Sequence, residues 1–199
     1  MKIAWDISKQ CFTITDYYYF SKLQRFLKEN EFSFEETTSL EDLDKYDIIV
    51  FNYPEKFFSE DEANYLKDLV KAGKRVLCLA YYKNEDFIAD TCNSLAKVFN
   101  VKFHGDEVTD KEHNYENDPY FVVTPEKYML ACTCSLEGGE TFVKAAPSAV
   151  SNQGFEPILA VKVPLGKGCF IGVGSCVFWD NYSIDVLNNK ELILKLLRG

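Results

Sequence analysis

Histidine is scarce in this chain of 199 residues: His104 and His113 are the only two. Serine or cysteine nucleophiles need a base within hydrogen-bond reach, so such chemistry would have to draw on one short window. Basic residues are also in deficit, with 22 Lys and Arg against 31 Asp and Glu, a formal net charge of -9 and no Lys/Arg cluster along the chain. A surface of that sign repels polyanions, which excludes nucleic acid and anionic membranes as expected partners. No apolar run approaches the roughly 20 residues that span a bilayer. The first residues also lack the basic-then-apolar order of a secretory leader, so a cytoplasmic location is expected.

Glycine is thinly spread, and none lies between Asp6 and Asp16, where a strand-like run passes into a helix. Phosphate loops use glycine to bring backbone donors to an anion, as in G-x-x-x-x-G-K-[ST] or G-x-G-x-x-G. Neither pattern occurs, and "GVGSCVF" reads as strand, so no nucleotide and no cofactor is expected. No Pro/Gly-rich linker or repeat divides the chain, and 1–199 reads as one domain. Cysteine is the exception to scarcity, with seven residues. The count is odd and several lie in apolar runs (Cys78, Cys92, Cys169), which points to free buried thiols.

With 47% hydrophobic and 15% aromatic residues, the chain can bury a sizeable core. Residues 2–7 read as a buried strand. Thr13 and Asp16 have the spacing of a capping box, predicting a helix from about 14–16 with Tyr19, Leu23 and Phe26 on its inner face. "FSFEET" suits a short strand, and "DIIVFNYP" and "KRVLCLAYY" are continuous apolar runs of the kind covered on both faces. Between them, Ser59 to Glu62 is a second capping box and Gly73 a helix stop. Residues 86–99 recur at helical spacing, and "VKFHGDEV" resumes strand character. This alternation predicts an α/β fold: a doubly wound, mostly parallel, flavodoxin-like sheet with an irregular β-rich segment around 105–152. "PILAVKVPLGKGCFIGVGSCVF" reads as a hairpin across Gly166 to Gly168, and Asn188 with Glu191 caps a last helix.

Ligands of an open parallel sheet bind outside the carboxyl ends of its strands. Those ends carry Asp6 and Ser8, Asn52, Tyr81, and then Ser175, Trp179, Asp180 and Asn181. Together they offer carboxylates, amides and aromatic faces, which suit a small polar, sugar-like ligand. Each also has a plainer reading. A strand-end carboxylate such as Asp6 caps loops as often as it binds, and Trp179 and Tyr182 suit a core edge. A cysteine hydrolase using Cys132 or Cys134 with His104 or His113 is the enzymatic rival, the two cysteines of "ACTCS" being expected to be the more exposed ones. No zinc spacing occurs, and the acid run from Asp106 through Asp110 to Asp118 lacks calcium-loop order, so it reads as a solvated loop and no metal is expected.

Three stretches together carry a resemblance: "DIS" after the first strand, "DKYDIIVFNYPEKFFSEDEANYLKDLVKAGKRVLCL" in the middle, and "PILAVKVPLGKGCFIGVGSCVFWDN" with "NNKELILKLL" at the end. They resemble non-catalytic members of the class I glutamine amidotransferase-like superfamily, including GIFT-type domains of gliding-motility and intraflagellar-transport proteins and the trimerisation domain of some β-galactosidases. The family's Asp-x-Ser-His pattern is met by Asp6 and Ser8, while Lys9 replaces the histidine. Its last-strand pattern is met by Gly174, Ser175, Cys176, Phe178 and Asn181. Catalytic relatives carry a cysteine at a glycine-flanked elbow and a late histidine; here the matching strand end reads "LCLAYYKNED". The resemblance therefore implies a binding or assembly domain, with a protein partner or a homo-oligomer as alternatives to a small ligand.

Overall fold

A computed structural model describes residues 1–199. The first half runs β1 (Lys2–Asp6), α1 (Tyr17–Glu29), β2 (Ser33–Thr37), β3 (Ile48–Asn52), α2 (Glu60–Ala72), β4 (Arg75–Leu79) and α3 (Ile88–Ala96). Short strands follow: β5 (Lys102–Phe103), β6 (Val108–Thr109), β7 (Asn114–Tyr115), β8 (Asp118–Val123), β9 (Met129–Ala131), β10 (Leu136–Glu137), β11 (Glu140–Lys144) and β12 (Val150–Ser151). The chain closes with β13 (Ile158–Leu165), β14 (Gly168–Val173) and α4 (Asn189–Arg198).

Seven strands form the main sheet in the order β11-β13-β14-β4-β3-β1-β2. The pairs from β14 to β2 are parallel, while β13 and β11 are antiparallel additions at one edge. All five residues of β3 are buried, as expected of a strand covered on both faces. Arg198 beside α1 donates to the Asn30 carbonyl at 3.1 Å, so α4 and α1 are neighbours. The Phe58 N–H, just ahead of α2, donates to Ser94 of α3 at 2.8 Å. Because the strand order reverses at β1, right-handed crossovers put these two helix pairs on opposite faces.

The α/β class and the mostly parallel sheet are as expected, but its fifth parallel strand is not. "VKFHGDEV" gives only the two-residue β5, which pairs with β10 outside the main sheet. The place beside β4 is taken by β14, with Cys169 opposite Arg75 and Val173 opposite Leu79. Apolar content decides this: β14 is buried from Cys169 to Val173, whereas 104–107 carries His, Asp and Glu. The hairpin turn at Gly166 and Lys167 forms where expected, and Gly168 has no room for a side chain, since a Cβ there would lie 2.1 Å from the Lys74 carbonyl oxygen.

Helix ends show what local pattern encodes. Around α2 both bonds of the Ser59–Glu62 capping box form, and Gly73 closes the helix at φ +119°. At α1 the helix starts later than expected, because Asp16 is itself the N-cap, accepting from the Tyr18 and Tyr19 N–H groups. Tyr19 is consequently in the first turn and 44% exposed rather than inward-facing. The helix expected over 86–99 begins at Ile88, since Asp86 and Phe87 have left-handed φ, and its last turn tightens to a 3-10 helix over Lys97–Phe99. Asn188 holds the N-cap position of α4, yet its side chain donates to the Glu126 carbonyl instead of capping.

The segment around 105–152 is the irregular β-rich lobe expected, but it is no solvated acidic loop. Asp106 and Asp110 are buried. Asp106 accepts from the Ser135 N–H and hydroxyl at 2.6 and 2.7 Å. Asp110 accepts from the Glu112 and His113 N–H groups and the Ser148 hydroxyl at 2.8, 2.9 and 2.7 Å. These carboxylates replace the regular ladders that such short strands cannot supply. Val108, Val122, Leu130 and Val143 join the same buried apolar cluster as the main sheet.

Candidate functional site

Parallel pairing sets the carboxyl ends of β1, β3, β4 and β14 along one rim. Asp6 ends β1 fully buried. Its Oδ1 accepts from the Ser8 N–H and hydroxyl at 3.0 and 2.7 Å, and its Oδ2 from the Thr37 hydroxyl at 3.0 Å. Burial pushes its carboxyl above the usual range against the pull of these bonds. Asp6 and Ser8 thus form a closed turn that ties β1 to the end of β2. Lys9, in the histidine position of the motif, spans to α2, where its Nζ lies 2.7 Å from both Glu62 carboxylate oxygens and 4.9 Å from the Phe58 ring centroid.

A second group forms around Trp179, whose ring centroid is 5.0 Å from that of Trp5. Its Nε1–H donates to Asn52 Oδ1 at 3.2 Å, while Asn52 Nδ2 is buried with no partner. Asn181 clamps the segment after β14 to α1: its Nδ2 donates to the Tyr18 carbonyl at 2.6 Å, and its Oδ1 accepts from the Lys22 N–H at 2.8 Å. Ser175 turns away toward the lobe and donates to the Ala131 carbonyl at 2.6 Å. Asn52, Trp179, Asp180 and Asn181 are therefore brought together, Asp6 with Ser8 and Ser175 occupy separate settings, and Tyr81 is reached through a chain of rings.

That chain crosses the rim. Centroids step from Tyr18 to Tyr19 (4.9 Å), Phe12 (6.0 Å), Tyr53 (5.2 Å), Tyr81 (5.9 Å), Tyr82 (4.8 Å) and Tyr120 (6.0 Å). Such edge-to-face and tilted pairs stabilise one another by about 0.5 to 1.5 kcal/mol beyond area burial. Tyr53 holds φ +62°, uncommon for a bulky residue. Its hydroxyl donates to Asp86 at 2.9 Å, and burial, aided by that carboxylate, pushes the phenol far above its usual range.

The exposed end of the chain lines a cleft. One cavity of about 350 Å³ has walls of Tyr18, Tyr19, Asp180, Asn181 and Tyr182. A smaller one of about 90 Å³, lined by Phe12, Phe20, Cys176 and Val177, shares Tyr19 and Asp180 with it. Asp180 accepts from the Tyr182 and Ser183 N–H groups at 3.0 and 2.8 Å, both on Oδ1, so Oδ2 has no backbone partner. Burial pushes this carboxyl up, with the Ser183 bonds opposing. Tyr182 is 55% exposed and not at the core edge as expected; its hydroxyl bonds Glu116 at 2.7 Å. Phe12, Tyr18 and Tyr19 escaped the sequence reading of the site. For the two tyrosines the signal is the run "YYYF", since four adjacent aromatics cannot share one face of a helix.

The cysteine rival finds no base. His104 stacks on Phe155 at 3.6 Å, and His113 Nδ1 meets the Ser148 hydroxyl at 2.7 Å; neither is hydrogen-bonded to a thiol. All seven cysteines are free, and only Cys132 is even partly exposed. Cys134 is fully buried, contrary to expectation, because "ACTCS" leaves the β9 edge and turns under β14. Burial pushes the Cys132 thiol up despite bonds from Tyr81 and Tyr82. Iodoacetamide at neutral pH is expected to modify Cys132 alone in the folded chain, and more slowly than a free thiol. Mass-mapped labelling faster than glutathione would revive the nucleophile.

No family model matches the chain. An uncharacterised protein of Aquifex aeolicus (strain VF5) is 44% identical over an alignment covering all of this chain and 93% of that protein. The chain belongs to that protein's family. Among solved structures, the N-terminal domain of mmIFT52 superposes with a TM-score of 0.82 at 16% identity, covering 100% of this chain and 98% of that one. A GH42 β-galactosidase, Gan42B, gives 0.54 at 15% identity over 98% of this chain, which spans only 29% of the galactosidase chain. A cytoplasmic protein of Salmonella typhimurium gives 0.52 at 15% identity, with 88% of this chain and 84% of that chain covered. At such identities these likenesses speak for the fold alone. No helix is long and apolar enough to cross a membrane.

Proposed function

We propose that residues 1–199 form one non-catalytic binding domain that takes a small polar, sugar-like ligand in the Asp180 cleft. The observation that carries this reading is a carboxylate with an oxygen free of backbone partners in a cleft walled by Tyr18, Tyr19 and Tyr182. Aromatic faces can stack on a hydroxylated ring while Asp180 accepts from its hydroxyls. Asp6, Ser8, Asn52, Ser175, Trp179 and Asn181 then set the shape of the rim, with Tyr81 at its far side. The order β2-β1-β3-β4-β14 supports a flavodoxin-like, amidotransferase-like architecture, since it follows the doubly wound pattern with β14 as fifth strand. Seven free thiols support a reducing, cytoplasmic location.

Galactose, glucose and mannose, titrated by saturation-transfer NMR, are expected to include at least one binder. Asp180→Asn, which keeps the Oδ1 acceptor, and Tyr18→Ala should each weaken it about tenfold, roughly the 1.4 kcal/mol of one charge-assisted bond or ring contact. No binder, or a binder indifferent to both variants, would refute the ligand. A protein partner is the second reading. It is favoured by Tyr17 and Tyr18, 81% and 77% exposed beside the cleft, more apolar surface than a small ligand covers. Self-association belongs to it, and a sedimentation mass above the monomer that Tyr18→Ala reduces would support that form.

A further inference from the structure

Cations that are scattered along the sequence meet at the opposite ends of the strands. Arg75 opens β4, Lys162 lies on β13 and Lys167 in the β13–β14 turn, and the three line a pocket of about 230 Å³ with no carboxylate among its walls. Register explains the meeting: Cys169 pairs with Arg75 on one side and with Pro164 on the other, and Lys162 is two residues from Pro164 on the same face. Arg75 Nη1 donates to the Leu197 carbonyl at the end of α4, but its Nε–H is buried with no acceptor.

Neither lysine has a partner. The ion pairs of the molecule include no bond to Lys162 or Lys167, and neither ammonium donates to a carbonyl. Glu140 stands opposite Lys162 in the β11–β13 register without forming an ion pair. The plain reading is that cations settle at helix C-termini, and Arg75 does so for α4. It does not account for Lys162, which lies on a strand, or for the orphaned Arg75 donor. In a chain of net charge -9, three cations that share a pocket, with neither lysine in an ion pair, repel one another and gain from an anion placed between them.

We propose that this pocket binds a phosphoryl dianion, independently of the rim cleft. A guanidinium and two ammonium groups without ion-pair partners suit a tetrahedral dianion better than a planar carboxylate, because charge-assisted bonds to phosphate oxygens come from several directions. Soluble phosphate esters and lipid headgroups both carry such a group.

Thermal unfolding of the full chain with inorganic phosphate tests it, against potassium chloride at matched ionic strength. A saturable rise in Tm is expected, because an anion bound only by the folded state stabilises it. Combined Lys162→Gln and Lys167→Gln should weaken phosphate about tenfold or more, with an unchanged circular dichroism spectrum. Asp180→Asn should leave phosphate binding intact, which separates this site from the rim. An equal rise in chloride, or a rise that survives the double variant, would overturn the proposal. Flotation with phosphatidylcholine vesicles containing phosphatidic acid distinguishes the sources. Co-flotation lost in the double variant names a headgroup; phosphate binding without flotation names a soluble ester.

Discussion

Trp179→Ala should lower the unfolding free energy by about 3 to 5 kcal/mol, the usual cost of emptying a buried Trp or Phe site. The side chain is 1% exposed and its ring packs on Trp5 at 5.0 Å and Phe178 at 4.9 Å. Its loss also strips Asn52 Oδ1 of its only partner, and Asn52 Nδ2 already has none. A buried amide with neither end bonded adds roughly 1 to 3 kcal/mol, placing the expected loss at the upper end of that range. Trp179→Phe helps to separate the two contributions, because it keeps a six-membered aromatic ring in the site while the N–H is lost together with only part of the ring contact. Urea unfolding followed by far-ultraviolet circular dichroism gives the measurement, with a lower midpoint at unchanged m-value. A loss below 1 kcal/mol for the alanine variant would mean that the rim does not depend on this ring. Trp179 would then be open to the stacking role that its position at a strand end first suggested.

The parts of the fold that were legible in the sequence are those encoded by neighbours in the chain. The run Ile48–Asn52, the Ser59–Glu62 box, the Gly73 stop and the Gly166–Lys167 turn each carry their signal within a few residues. Placement of β14 beside β4 does not, because it depends on which of two distant segments buries more apolar surface against a shared neighbour. The lobe was legible only as irregular: its acids looked solvated because Ser135, Ser148 and Ser151, which pair with them, lie 29 to 45 residues away. At the rim, the polar strand ends were legible but their use was not. Asp6 spends its oxygens on Ser8 and Thr37, and Asn181 spends its amide on α1. Such bonds satisfy local donors and acceptors, whereas the two backbone bonds to Asp180 both fall on Oδ1 and leave its Oδ2 to face the cleft. The tyrosines of the cleft were hidden for another reason. A helical period assigns Tyr19 to the core, but α1 is capped only at Asp16, which leaves Tyr19 exposed in the first turn.

Asn189→Ala, at the start of α4, should be the single change most damaging to the lobe, although no local motif marks the residue. The side chain is fully buried. Its Oδ1 accepts from the Met129 N–H at 2.8 Å, and its Nδ2 donates to the carbonyls of Met129, Phe178 and Ser183 at 3.0, 3.0 and 2.9 Å. One amide thus joins β9, the segment after β14 and the start of α4. Alanine leaves four backbone groups without that partner in an apolar setting. Each orphan costs about 1 to 3 kcal/mol, but they share one cavity and do not add, so a total near 4 kcal/mol is expected. Asn189→Asp should be no better, since it retains an acceptor for Met129 but turns an anion toward three carbonyl oxygens. Hydrogen exchange localises the effect: amides of β8 and β9 should lose protection in Asn189→Ala while those of β3 and β4 retain it until global unfolding. Uniform loss across both regions would show that the lobe and the sheet unfold as one unit. A change within 0.5 kcal/mol would remove Asn189 as the link. The link also bears on binding, because Ser183 and Phe178 flank the Asp180 turn. A variant whose lobe has opened should lose the cleft while the cation pocket at the other end of the sheet still takes phosphate.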